Sequence, residues 1–212
     1  MFGLVVGADV NEMVSRLSAR LGVDPNTHSP IRLSPMSRKN MAKVLAEFGL
    51  NQGAEIGVAR GDHAEILCRA NPSLKLYCVD AYREYPGYAG YPDVDNTFKQ
   101  AQKRLSEYAC SFIRKMSMEA LRYFRDGVLD FVYIDAAHDF RSVADDICEW
   151  SKKVRSGGIV FGHDYKRSHR RSRHKLEVKD VVDAFCYSRA IRPWFILAND
   201  IDRDNPGWLF VK

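Results

Sequence analysis

The feature that most constrains the fold is a regular alternation of strand-like and helix-like segments from residue 53 onward. Short runs of apolar, β-forming residues end in turns, and amphipathic helical patterns follow them. A helix between two strands forces those strands to lie parallel, with right-handed crossovers. The sequence therefore predicts a doubly wound, Rossmann-like α/β sheet, whose first five strands lie at 54–58, 75–80, 111–115, 129–134 and 159–162.

The C-terminal end breaks this alternation. Two further strands are predicted at 194–198 and 208–211, and the nine residues between them are too few for a crossover helix. These two strands must therefore pair antiparallel. We expect a mostly parallel sheet of seven strands that ends in an antiparallel hairpin.

Two amphipathic helices precede the alternating region. The first covers 10–21, a loop follows at 23–36, and Ser37 is suited to cap the second helix, which ends at Gly49. We expect an N-terminal helical extension at 1–50 and one α/β domain at 51–212. Two roles stay open for the helices, covering the active site or forming a homodimer.

The composition is that of a globular protein outside the membrane. Hydrophobic residues make up 46% of the chain, and no apolar run approaches the roughly 20 residues that a membrane span needs. The opening segment lacks a basic leader and reaches an acidic residue at Asp9. Five scattered cysteines without a CxxC pair are typical of reduced thiols, so we expect a cytoplasmic protein.

The turn after the first predicted strand carries the first functional signal. It reads Glu55-Ile-Gly57-Val-Ala59-Arg-Gly61, and its glycines allow a ligand to approach the backbone closely. The spacing departs from the G-x-G-x-x-G of dinucleotide sites. It resembles the E/D-x-G-x-x-x-G of S-adenosylmethionine (SAM) methyltransferases, in which the acid orders the turn and the glycines pass beside the methionine part of SAM.

Asp80 ends the second strand of the alternating region, about 25 residues beyond Glu55. Ligands of open α/β sheets bind at the carboxyl ends of the strands, where an acid can accept both ribose hydroxyls. We interpret Asp80 as a ribose-binding residue, with helix capping as the alternative.

A longer pattern follows, with an apolar strand ending in Asp135-Ala-Ala-His138 and a glycine-led strand ending in Gly-His163-Asp164-Tyr165. Together with the helical stretch 178–185, it resembles the class I SAM-dependent methyltransferase family that includes small-molecule and sugar O-methyltransferases such as macrocin O-methyltransferase. The resemblance covers about residues 50–190, and the terminal hairpin is the usual ending of this class. It implies SAM as the methyl donor and leaves the acceptor undefined. The cofactor-binding residues it implies are Glu55, Gly57, Val58, Ala59, Gly61, Asp80, Ala81, Ser117, Met118 and Asp135, of which Ser117 is equally suited to cap the helix that follows.

Asp135 and Asp164 end neighbouring strands, so their carboxylates should converge on one cleft. Without a counter-charge the two would repel, and a divalent cation such as Mg²⁺ would relieve that repulsion. Related metal-dependent O-methyltransferases use acids at these two strand ends and a further acid or amide. Tyr165 departs from that pattern, so Asp135 and Asp164 are candidate metal ligands with a metal-free site as the alternative.

His138 and His163 are the candidate general bases, because histidine titrates near neutrality and can take a proton from a hydroxyl. We prefer His138 as the base, with Asp135, His163 and Asp164 as its catalytic neighbours. The alternative for His138 is a helix cap near residue 141.

Two segments bear on the acceptor. A tyrosine-rich loop could wall an aromatic or sugar pocket or be a surface loop; its tyrosines are Tyr82, Tyr85, Tyr88 and Tyr91. The stretch 166–175 carries six Lys or Arg residues of a chain whose net charge is +5, and it directly follows Asp164. It could attract an acidic or phosphorylated acceptor, nucleic acid included, or be a solvated loop.

The leading prediction is O-methylation of a small-molecule or sugar-like hydroxyl by in-line transfer from SAM. Two alternatives stay open. One is a nucleic-acid methyltransferase that uses the basic stretch, although no N/D-P-P-Y motif of base N-methylation is present. The other is a SAM-fold binding protein without catalysis.

Overall fold

A computed structural model describes residues 10–84, 92–168, 176–198 and 204–212 of the 212-residue chain. The described chain forms one eight-stranded sheet in the order β1-β7-β8-β6-β5-β2-β3-β4. The strands are β1 (Ile31–Leu33), β2 (Gln52–Ile56), β3 (Lys75–Asp80), β4 (Cys110–Arg114), β5 (Leu129–Ile134), β6 (Val154–Gly162), β7 (Trp194–Leu197) and β8 (Gly207–Val211).

The predicted topology is confirmed. β2, β3, β4, β5 and β6 pair in parallel, while β8 lies antiparallel between β6 and β7. The sheet has one strand more than expected, because part of the segment predicted as a loop forms β1, which pairs in parallel with β7 at the sheet edge. The last parallel strand also begins at Val154, earlier than 159, and an irregular register and the left-handed Gly157 (φ 70°) accommodate the extra residues.

The helices are α1 (Val10–Leu21), α2 (Arg38–Glu47), α3 (Asp62–Ala70), α4 (Val94–Arg104), α5 (Ser117–Ala120), α6 (Phe140–Lys153) and α7 (Val178–Ser188), and a 3₁₀ turn, Leu121–Tyr123, follows α5. They cover both faces of the sheet. Along β5, Phe131 and Tyr133 pack into the core on the side of α1 to α4, whereas Val132 and Ile134 pack into the core under α5 to α7. This alternation is the period-2 pattern of a strand buried on both faces.

The N-terminal helices share the core of the sheet. Met13 and Leu17 of α1 and Met41 and Leu45 of α2 are buried in the same cluster as Phe131. The division of the chain at about residue 50 stays a prediction. Among the described residues, no helix is long and apolar enough to cross a membrane.

Candidate active site

The turn between β2 and α3 can be made only with glycine at its first position. Gly57 has φ 90°, a conformation that L-residues rarely adopt, and a Cβ there would lie 2.1 Å from the backbone oxygen of Asp135. Gly61, with φ 78°, is the N-cap residue of α3. The backbone of this turn therefore lies directly against the end of β5.

Asp80 holds the turn from the neighbouring strand end. Its Oδ2 accepts hydrogen bonds from the amides of Val58 (3.0 Å) and Ala59 (2.9 Å), and its Oδ1 accepts one from the amide of Tyr82 (3.0 Å). The Tyr82 hydroxyl donates to the Ala59 carbonyl oxygen at 2.9 Å. The side chain of Asp80 thus faces the glycine turn, and Tyr82 closes the arrangement.

A cavity of about 340 Å³ opens beside this turn at the carboxyl ends of β2, β3, β4 and β5. It lies at the strand ends where ligands of open α/β sheets bind. Of the predicted cofactor-binding residues, seven line it: Gly57, Ala59, Asp80, Ala81, Ser117, Met118 and Asp135. Val58 and Gly61 shape the turn from outside this lining.

A hydrogen-bond relay lies in the cavity wall, where Ser117 and Asp146 line the cavity. The Trp150 Nε1–H donates to the Ser117 hydroxyl at 2.7 Å, and that hydroxyl donates to the Asp146 carboxylate. Burial, together with the charges of Asp145 and Asp139, raises the pKa of Asp146 to about 7, against the opposing effect of the Ser117 hydrogen bond. The prediction that Ser117 caps its helix is wrong, because Met116 is the N-cap and the Ser117 hydroxyl contacts α6 instead.

Glu55 lies beneath the turn and is 1% exposed. Its Oε2 is 3.5 Å from Nδ1 of His63, whose ring lies 3.9 Å from that of Tyr133. Burial raises the pKa of Glu55, and His63 partly opposes this shift. His63 was not predicted as a partner of Glu55, because a histidine in the first turn of a helix gives no functional signal by itself.

The predicted catalytic residues come together at the ends of β5 and β6, next to the cavity wall formed by Asp135. The Nε2 of His138 is 2.9 Å from Oδ2 of Asp164 and 3.5 Å from Oδ1 of Asp135. The Nδ1 of His163 is 3.2 Å from Oδ1 of Asp164 and 3.8 Å from Oδ2 of Asp135. We call these four residues the strand-end cluster. The alternative that His138 caps a helix is wrong, since Asp139 is the N-cap of α6.

Contacts within the strand-end cluster shift the pKa values of its own members. Hydrogen bonds to Asp135 and Asp164 raise the pKa of His138 to about 9, against the effect of burial. Burial lowers the pKa of His163, but Asp164 and Asp135 raise it by more. Burial would raise the pKa of Asp164, yet the bonds from His138, His163 and Asn205 hold it well below its usual range. The imidazolium form of His138 is therefore favoured at neutral pH, where it faces the carboxylates of Asp135 and Asp164.

Four side chains that were not predicted from the sequence complete this region: Arg38, Tyr133, Asp204 and Asn205. Nη1 of Arg38 donates to the Tyr133 hydroxyl (3.0 Å) and to Oδ2 of Asp135 (3.1 Å), and its Nε is 3.3 Å from Oδ2 of Asp204. Asn205 Nδ2 donates to Oδ1 of Asp164 at 2.5 Å. Arg38 is the first residue of α2, which Ser37 caps as predicted. A helix start far from the strands in sequence gives no signal of such a contact.

The repulsion between two unpaired carboxylates, which made a metal ion a candidate, is not present in the structure. Asp135, His138 and Asp164 do bring ligand atoms within 4.8 Å of one another. However, Mg²⁺ was a candidate because two carboxylates without a counter-charge would repel, and Arg38 and the protonated His138 supply that charge. Tyr165, which stands where related proteins have a ligand, donates its hydroxyl to Asp183 at 2.5 Å. The residues present therefore fit a charge-paired cluster better than a cation site.

The two acceptor segments are described only in part. Tyr85, Tyr88 and Tyr91 lie outside the described residues, as does 169–175 of the basic stretch. At its start, Nε of Arg167 pairs with Asp180 of α7 at 2.8 Å.

Comparisons with known proteins agree with this geometry. The model of a family described as a methyltransferase domain matches residues 54–165. A search of curated proteins found no match.

Among solved structures, the chain is similar to an O-methyltransferase from Bacillus cereus in complex with S-adenosylhomocysteine (SAH), with 16% identity, 99% of this chain and 94% of that chain covered, and a TM-score of 0.58. The chain is also similar to TomG from Streptomyces achromogenes, an O-methyltransferase of tomaymycin synthesis in complex with SAM. The identity is 18% and the TM-score 0.61, with 99% of this chain and 92% of that chain covered. For an rRNA methylase from Streptococcus thermophilus, the identity is 13% and the TM-score 0.57, with 83% of this chain and 96% of that chain covered. At these identities the likeness concerns the fold.

Proposed function

The chain belongs to the methyltransferase domain family, and on this premise we propose that it transfers the methyl group of SAM to a hydroxyl of a small-molecule or sugar-like acceptor. The observation that carries the proposal is the cavity beside the glycine turn, with Asp80 fixing the turn from the next strand. The solved relatives with SAM or SAH bound support the choice of cofactor.

Within this proposal, the methionine part of SAM lies along Gly57 and Ala59, and the adenine lies toward Ser117 and Met118. Asp80 contacts the ribose. An ionised carboxylate offers about four acceptor positions, and three amides already use three of them. The remaining position supports one ribose hydroxyl, rather than the two expected from sequence.

The protein's own part in the reaction is alignment and proton removal. SAM supplies a methyl group activated on a sulfonium, so no covalent help from the chain is needed. Proximity and orientation supply on the order of 7–11 kcal/mol in favourable systems. His138 takes the proton of the acceptor hydroxyl, and Asp164, at 2.9 Å from its Nε2, orients the ring. A magnesium ion at Asp135 and Asp164 is not required by this scheme.

A calorimetric titration with SAH tests the cofactor site. We expect micromolar binding by the wild type and at least about tenfold weaker binding by Asp80→Ala, which removes the charged acceptor of two turn amides. Asp126→Ala is the matched control, since Asp126 is exposed and, among the described contacts, pairs only with Lys153 at the C-terminal end of α6. Absence of SAH binding by the wild type would defeat the proposal.

The acceptor class needs a second experiment. Radiolabelled SAM incubated with a panel of hydroxyl compounds and with structured RNA should label the small molecules. Labelling of RNA alone, lost when Arg170, Arg171 and Arg173 are neutralised, would favour the nucleic-acid alternative. SAH binding without any transfer, and no effect of alanine at Asp135, His138 and Asp164, would favour a binding protein. We also propose that the protein is cytoplasmic, which its free cysteines support.

A further inference from the structure

The two strand-end carboxylates have no oxygen left without a donor. Oδ2 of Asp135 accepts from the Arg38 guanidinium and from the Tyr133 hydroxyl at 3.0 Å, while its Oδ1 faces His138. In Asp164, Oδ1 accepts from Asn205 and faces His163, and Oδ2 faces His138. A divalent cation at this site would have to displace at least one of these donors.

We propose that Arg38 is the built-in cation of this site: it neutralises and positions Asp135, takes the place that a divalent metal ion would need, and makes methyl transfer independent of a bound metal. This inference rests on the proposed function for the reaction, but the exclusion of metal is a property of the cluster itself. Arg38 is a positioning residue, because it acts through Asp135.

The chemistry of Arg38 suits this role. A guanidinium stays charged at all pH values at which proteins fold, and its planar fork can hold several acceptors in fixed directions. Here one nitrogen spans the Tyr133 hydroxyl and Asp135, while Nε reaches Asp204. The side chain is only 25% exposed, so solvent screens its charge incompletely.

The local structure holds Arg38 in place. It begins α2, whose N-terminus is fixed by a capping box in which Ser37 and Asn40 bond each other's backbone amides. The apolar face of α2, including Met41 and Leu45, is buried in the core. The guanidinium is therefore delivered from a rigid helix start rather than from a loop.

The remaining ligand positions also disfavour a cation. Mg²⁺ prefers oxygen ligands in a near-octahedral arrangement. A carboxylate can only accept, so Asn205 must present its NH₂ group to Asp164, and the amide oxygen points elsewhere. Asn205 thus offers a donor where a metal site would need an oxygen.

Calorimetric titration with Mn²⁺ tests the inference without an acceptor. The full chain is titrated in the presence of SAH as wild type, Arg38→Gln, Arg38→Lys and Arg20→Gln. Arg20 also contacts α2, through Glu47 at 2.5 Å, but at an exposed position away from the cluster, and it serves as the control. Thermal unfolding of each variant checks that it is folded.

We expect no stoichiometric Mn²⁺ binding by the wild type, Arg38→Lys or Arg20→Gln, and a gain of about tenfold or more in Mn²⁺ affinity for Arg38→Gln. Rescue by lysine separates charge from packing, since a merely structural role would not set metal affinity. One Mn²⁺ bound per wild-type chain would overturn the inference, and so would equal behaviour of Arg38→Gln and Arg20→Gln.

If Arg38→Gln does not fold, Arg38→Met replaces it, because methionine removes the same charge and keeps an apolar stem of similar length. It should show a gain of the same size, and no gain would again overturn the inference. The outcome is distinguishable from failure of the proposed function. Lack of SAH binding by the wild type would remove the enzyme assignment, while the metal titration would still report on the cluster.

Discussion

The cofactor cavity and the strand-end cluster lie side by side but are built differently. The turn at 57–61 beside the cavity is backbone from one short stretch, held by a single carboxylate on the next strand. The strand-end cluster and the side chains that pair with it come from four segments that are distant in sequence: 38, 135–138, 163–164 and 204–205. The first depends on shape and amide direction, and the second on the balance of charge. The predictions below test that difference.

The largest effect is expected at the backbone turn. Gly57→Ala places a methyl group 2.1 Å from the Asp135 oxygen at φ 90°. We expect a loss of roughly 3 kcal/mol or more in the free energy of unfolding and no measurable SAH binding. Chemical denaturation and calorimetry measure the two quantities.

Gly22→Ala is the matched control for this substitution. Gly22 has φ 67°, but a Cβ there would meet nothing within 4 Å. It should therefore show only the backbone strain, about 1–2 kcal/mol, with SAH binding unchanged. Equal effects of the two substitutions would show that contact with Asp135 does not decide the cost.

The next effect belongs to the cluster. His138→Asn should lower kcat by about 10²–10⁴ and leave SAH affinity unchanged, because the residue is needed for proton removal and not for the cavity. A base must be neutral, and the pKa of His138 is raised to about 9. The wild-type rate should therefore rise with pH until about 9 and then level.

A pH–rate profile with an acceptor from the screen measures this. A flat profile between pH 7 and 9 would contradict His138 as the base.

The raised pKa of His138 also makes the free energy of unfolding depend on pH. The imidazolium stabilises the folded state fully below the unfolded pKa of about 6.5, and this contribution is lost as pH rises through 9.

The contrast explains how much could be predicted from sequence. The glycine turn and Asp80 are adjacent to their own strands, so strand–helix alternation alone locates them. Asp135 and Asp164 follow from the same rule, since parallel neighbours end at one edge. Arg38 and Asn205 reach the cluster only through the packing of α2 and of the segment before β8, and no short-range pattern reports that packing.

Two of the errors made from sequence have the same origin. Ser117 has the residue type of a helix cap, but the relay from Trp150 to Asp146 determines its hydroxyl direction. Residues 31–33 were predicted as loop because prolines and serines surround them, and they become a strand because the edge of β7 offers hydrogen bonds. In both cases a tertiary contact outweighs local propensity.

A smaller effect is expected at Asp146, a buried acid in the cavity wall whose carboxylate accepts a hydrogen bond from the Ser117 hydroxyl. The folded pKa of Asp146 is raised from 3.8 to about 7, so the folded state loses stability as pH rises between these values. Asp146→Asn removes this dependence. Its gain in the free energy of unfolding over wild type should be roughly 1–3 kcal/mol larger at pH 8 than at pH 5. A gain that does not vary with pH would contradict the shift.

The smallest effect is expected at Tyr165, which follows Asp164 directly yet belongs to neither region. Its hydroxyl donates to Asp183 of α7, away from the cluster. Tyr165→Phe should cost about 1 kcal/mol of unfolding free energy and leave SAH and Mn²⁺ binding as in the wild type. Tyr133→Phe is its counterpart within the cluster, because it removes a donor to Asp135 and should slow methyl transfer. If Tyr165→Phe instead altered Mn²⁺ binding, Tyr165 would have to reach the carboxylates, and the conclusion that its hydroxyl contacts α7 and not the cluster would be wrong.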